Sequence, residues 1–165
     1  MKKQKGFSLI ELLIVVAIIL IIAAIAIPNL LRSRMAANEA SAVGSMRSIN
    51  TAEVTYSSTF PDTGYALNLI SLGGPSAAAC GNGVIATTGQ ACLLDAVVSS
   101  GVKSGYKFTA VGGNPVNLIN TTFKSTGAPS TPGQTGNRGF GSDQSGVIYY
   151  RLDGVAATSA DSALQ

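Results

Sequence analysis

The sequence predicts an α+β fold: one long N-terminal helix, apolar and membrane-spanning in its first half and amphipathic in its second, packed on a small antiparallel sheet as a ladle. Three observations support this. Phe7 to Leu31 is an apolar run with a single charge, Glu11. Leu30 to about Ser58 keeps a helical period with a changed, mixed composition. Beyond Gly64 the chain turns to Gly, Ser, Thr, Ala and Asn with short alternating segments. A chain of 165 residues has room for one domain plus the helix, not for two independent cores.

As a helix the apolar run is about 37 Å long, enough to cross a hydrocarbon core of about 30 Å. Lys2, Lys3 and Lys5 precede it and account for the whole formal charge of +3. They hold the N-terminus on the cytoplasmic side and send the rest outward. The remaining basic and acidic residues balance, so no broad positive field is left to gather nucleic acid.

Two conventional interpretations leave Glu11 unexplained. One is a secretory signal cut at Ala24-Ile25-Ala26; the other is a plain anchor. An acid inside a membrane span is expensive unless it has a partner, although Glu11, four residues from Phe7, also lies close enough to the surface to stay wet. A third interpretation uses every feature. A cut after Gly6 removes the leader lysines and gives Phe7 a charged amine. Glu11 then lies at i+4, where the two groups share a helical face. Its carboxylate meets an ammonium, its own or a neighbour's, and in a stack of identical helices that pair sets the axial offset. Low dielectric strengthens such a pair and makes a missing partner costly.

The segment KGFSLIELLIVVAIILIIAAIAIPNLL resembles the N-terminus of type IV pilins and of the related type II secretion pseudopilins. The matching features are the short basic leader ending in Gly6, Phe7 after it, Glu11 four residues on, and Pro28 closing the apolar run. The likeness covers Met1 to Leu31 and weakens towards Ser57. It implies cleavage between Gly6 and Phe7 by a prepilin peptidase and methylation of the Phe7 amine. It also implies assembly into a helical filament from an inner-membrane pool. The division that follows is a leader at 1–6, an apolar membrane and assembly helix at 7–31, and a head at 32–165.

Pro28 within a helix removes a hydrogen bond, at about 3 kcal/mol. It either ends the membrane helix or makes a kink or melted turn when the helix leaves lipid; the resemblance favours the second. Further on, Leu31, Met35, Ala42, Met46, Ile49 and Tyr56 form one apolar stripe, with Arg32, Arg34, Asn38, Glu39, Arg47, Asn50 and Glu53 on other faces. The helix is expected to end in the breakers Phe60 to Gly64.

Short helices are expected at Ala66–Leu72, stopped by Gly73-Gly74-Pro75, and at Cys92–Ser100. Strands are expected at Tyr106–Val111, Leu118–Lys124 and Gly146–Leu152. Gly112 to Pro115 is the expected turn and Ser125–Ser145 a long loop. Cys80 and Cys92 enclose a Gly-rich loop. In a chain sent across a membrane a disulfide is favoured over free thiols, and two Cys with no His are too few for a metal. The pair lies between helix and sheet, whereas many pilins of pathogens pin a C-terminal loop.

With no His, the usual triads are impossible and acid–base work at neutral pH loses its commonest agent. No Ser or Lys has a defined nucleophilic setting. Asp143 and Asp153, ten residues apart, are a poor calcium cage and suit solvated turns. Lys103, Lys107, Lys124, Arg138 and Arg151 are balanced by Asp62, Asp95, Asp143, Asp153 and Asp161, against a DNA-binding face. Only Phe7 and Tyr56 of the aromatics fall on the long helix, against a conductive filament.

The expected function is therefore structural and not enzymatic, with no cofactor and no metal: a pilin precursor that assembles into a type IV pilus. A type II secretion pseudopilin and a minor tip pilin acting as a DNA or surface receptor are the alternatives. Expected partners are further copies in a helical filament, the prepilin peptidase and the inner-membrane assembly machinery. The expected location is the bacterial inner membrane, then the extracellular pilus, with adhesion, twitching motility, DNA uptake and secretion all open as uses.

Overall fold

A computed structural model describes residues 7–74, 80–81 and 84–164; Gly6, the leader lysines and Pro75 lie outside the described residues. Helix α1 runs from Leu9 to Thr59. Residues through Arg34 and residues from Met35 form two compact units. In the first unit α1 continues through Pro28 rather than ending there. Pro28 has no N–H to offer the Ala24 carbonyl, and the rest of the turn stays helical.

The second unit holds the C-terminal part of α1, two short helices and a six-stranded antiparallel meander. Its strands are β1 (Val102–Lys103), β2 (Tyr106–Val116), β3 (Ile119–Pro129), β4 (Gly139–Asp143), β5 (Ile148–Arg151) and β6 (Ser162–Ala163), neighbours in chain order. Alternation places Tyr106, Phe108 and Ala110 of β2 inward and Lys107, Thr109 and Val111 outward. From α1, Ala42, Met46, Ile49, Ala52 and Tyr56 pack with those residues, Phe140 and Ile148 in one core. The expected architecture of a long helix on a small antiparallel sheet is the one observed.

The expected boundaries need correction in four places. The turn expected at Gly112 to Pro115 lies inside β2. The hairpin reverses at Asn117-Leu118 instead, between the paired residues Val116 and Ile119. A side chain at Gly112 would meet the Asn120 amide and the Ala66 carbonyl, so that glycine serves close approach rather than reversal. The loop expected at Ser125–Ser145 contains the end of β3 and all of β4, and β1 and β6 were not expected. Short helix α2 is Leu69–Gly73, begun by the Asn68 side chain accepting from Ser71 N, and α3 is Ala96–Ser99, begun by Asp95 accepting from Val97 N.

Two residues assigned to outer faces of α1 are buried. Asn50 donates to Ser142 Oγ at 2.7 Å and accepts from Ser125 Oγ at 3.4 Å, a polar bridge from helix to sheet. Glu53 is fully buried. Positions 46, 49, 53 and 56 fall on one helical face, so the stripe itself carries Glu53 inward.

Candidate functional site

The first turn of α1 is organised by Ser8 and Glu11. Ser8 precedes the first helical residue, and its carbonyl accepts from Leu12 N at 3.3 Å. Its own N–H donates to Glu11 Oε2 at 2.8 Å. A Ser at the N-cap with a Glu at the third helical position is the capping-box arrangement, in which the acid satisfies a donor the helix start leaves open. The helix therefore begins at Leu9, two residues after Phe7, and not at Phe7 itself. Among the described residues Glu11 Oε1 accepts no hydrogen bond. The bond that Glu11 does make lies within its own chain, through one oxygen.

Around this turn the surface is apolar. Every large apolar side chain from Phe7 to Leu31 is exposed, from 46% at Val16 and Leu31 to 87% at Phe7. Side chains of this kind leave water only in lipid or against other proteins. By length and composition α1 can cross a membrane near its N-terminus.

The expected disulfide is present: Cys80 and Cys92 are bonded, with Cα atoms 5.4 Å apart. It joins the stretch after α2 to the stretch before α3, where Ala91 N and Leu93 N donate to the Ser71 and Leu72 carbonyls.

The remaining charges of the head serve turns and pairs. Asp143 accepts from Ser145 N at 2.9 Å; Asp153 accepts from Val155 N at 3.1 Å and pairs with Arg151 at 2.6 Å. Among the described residues no group of three His, Cys, Asp or Glu converges as a metal site. Lys103 pairs with Asp95 at 3.2 Å, Arg138 with Glu39 at 3.6 Å, and Lys124 stands opposite Asp143 in the β3–β4 register. Of the cations that were candidates for a DNA face, Lys103, Arg138 and Arg151 thus pair with local acids. Sequence reasoning passed over two acids with structural roles, Glu53 and Glu39; Glu39 accepts from Asn137 N and Arg138 N and fastens the β3–β4 loop to α1.

Residues 1–27 match the family described as the prokaryotic N-terminal methylation motif. Over 39 residues the chain is 64% identical to the type IV wide pilus major component PilA4 of Thermus thermophilus, a match covering 24% of this chain and 30% of that protein. Over 54 residues it is 43% identical to the type IV major pilin protein PilA of Myxococcus xanthus, covering 33% of this chain and 24% of that one. The matched stretch is thus less than a third of the length of either relative. No solved structure matches the chain.

Proposed function

We propose that this chain is the precursor of a type IV pilin and that its mature form is the main subunit of a helical filament. The carrying observation is Glu11, an acid in the first turn of an exposed apolar helix and four residues after Phe7 in sequence, with one carboxylate oxygen held by Ser8 and the other accepting no hydrogen bond among the described residues. Hydrolysis of the Gly6–Phe7 bond by a prepilin peptidase leaves an amine on Phe7, and methylation of that amine keeps its charge at neutral pH. In the membrane this ammonium and the open oxygen of Glu11 on a neighbouring copy are each other's best available partner. Their pairing sets the axial step between subunits, and the apolar faces of α1 then bury one another as copies leave lipid. Pro28 supplies the point at which the helix bends or melts during that transfer.

In this scheme residues 1–6 are the leader, 7–31 the assembly helix and 32–165 the head. The precursor sits in the inner membrane and the mature chain in the extracellular pilus, delivered by the inner-membrane assembly machinery. The likeness to two major pilin components supports a main rather than a minor subunit.

Mass spectrometry of the chain recovered from sheared fibres tests the scheme. The expected result is an N-terminus at Phe7 with a methyl group, on the dominant protein of the preparation. A terminus at Ile27 or later, or an uncut chain, would end it. Scarcity in the fibres would point instead to a tip subunit, and normal fibres with lost protein secretion on gene deletion to a pseudopilin.

A further inference from the structure

We propose that Glu53 is a protonation latch that fastens the segment Thr63–Ala66 to helix α1. This holds independently of whether the chain polymerises. Glu53 has no exposed surface. Its Oε2 accepts from Ala66 N at 2.9 Å, and among the described residues its Oε1 has no partner. Ala66 is itself fully buried. The other side of the same segment is tied to the start of β3: Tyr65 N donates to the Asn120 carbonyl at 3.0 Å, Asn120 N to the Thr63 carbonyl at 2.9 Å, and Asn120 Nδ2 to the Tyr65 carbonyl at 2.9 Å. The segment is thus held between α1 and the long β2–β3 hairpin, and the carboxyl is its fastening on the helix side.

The surroundings favour the neutral acid. On its own helix the titratable neighbour is Tyr56, whose hydroxyl donates to the Thr88 carbonyl at 2.7 Å. On the segment, Asp62 is exposed and the Tyr65 ring packs tilted against Phe123, 4.9 Å between centroids. Helix α2 and the facing stretch of β2 and β3, from Gly112 to Asn120, carry no charged residue. Among the described residues no cation pairs with Glu53, so its charge would be buried with one oxygen bare. Burial pushes its carboxyl up to about 7, against the opposing pull of the Ala66 N–H.

The sign follows. A carboxyl whose folded pKa lies above its ordinary 4.5 adds stability at acid pH, and that stability is lost as pH rises through about 7. Across that interval the folding constant falls by as much as about 300-fold, the difference between 4.5 and about 7 expressed as an equilibrium ratio. Above it, opening of Thr63–Ala66 lets the carboxylate reach water.

The test uses the full chain in detergent micelles. A carboxyl-carbon NMR titration should show Glu53 titrating near 7, and Ala66 amide exchange should accelerate above that pH by more than the intrinsic base-catalysed increase. Denaturant midpoints should fall with pH in the wild type and stay level in Glu53→Gln, which keeps an acceptor for Ala66 and carries no charge. Parallel profiles for the two proteins would overturn the proposal. Should Glu53→Gln not fold, the wild-type titration decides alone: a Glu53 midpoint at the ordinary 4.5 rules the latch out.

Discussion

The backbone N–H of Ser8 donates to Glu11 Oε2 at 2.8 Å, so the acid that hydrocarbon penalises is also the residue that starts the helix. This carboxylate caps its own helix, and in the proposed scheme it also meets an ammonium; substitution can separate the two. Glu11→Gln keeps an oxygen for the cap and loses the charge; Glu11→Ala loses both. Both variants should insert and be cut at Phe7, and both should fail to form regular fibres. Electron microscopy of sheared material, with the N-terminal mass as a control, reads the outcome. Wild-type fibres from Glu11→Gln would show that the cap matters and the ion pair does not.

The Cys80–Cys92 bond closes a short loop in the head, and a loop of this size contributes about 3 kcal/mol in the chain-entropy account. Replacing both cysteines by Ser should lower stability to denaturant by about that amount. Membrane insertion and the mass of the cut terminus should not change, because the bond lies wholly in the second unit. Loss of processing in the variant would overturn that expectation.

Strand β4 is covered on both faces. Phe140 and Ser142 point to the core, while the backbone carbonyls of Val155 and Ala157 lie where side chains at Gly139 and Gly141 would be. Gly141→Ala therefore forces the C-terminal segment away from the sheet. Overpacking of this kind costs about 1–3 kcal/mol, and a backbone obstacle places it at the upper end. Gly44 provides the contrast: it lies within α1 with open space where a Cβ would go. Gly44→Ala should stabilise the isolated chain by about 1 kcal/mol. Thermal unfolding of the two variants in detergent should shift in opposite directions.

Much of this was legible where one physical signal dominated. The apolar run marked the exposed first part of α1, and the spacing of Met46, Ile49 and Tyr56 marked its buried face. Two errors came from ranking polarity above position. Glu53 lies on that face by spacing, yet its charge argued for solvent, and only a fold that seats Ala66 N over it reverses the balance. Ser8-Leu9-Ile10-Glu11 spells the capping box outright, but the apolar run around it drew the helix start to Phe7. The sheet was harder, because Gly112-Gly113 carries the usual chemistry of a turn and yet pairs with Phe123 and Thr122 inside the ladder.

The reversal that did occur uses a residue no turn rule would choose. Asn117 and Leu118 both have positive φ, 51° and 71°, and link paired residues Val116 and Ile119. A two-residue hairpin of this type prefers Asn-Gly, and a leucine in the left-handed region is strained by about 1–2 kcal/mol. Leu118 is 92% exposed, so its side chain returns almost nothing through burial. Leu118→Gly removes the strain but adds freedom to the unfolded chain, about 0.5–1 kcal/mol in the other direction. The net expectation is a gain of about 0.5 kcal/mol. Leu118→Val, branched at Cβ, should be worse than Leu in the same conformation. Denaturant midpoints should therefore rank Gly above Leu and Leu above Val; a Val variant as stable as wild type would mean that the turn relaxes without strain.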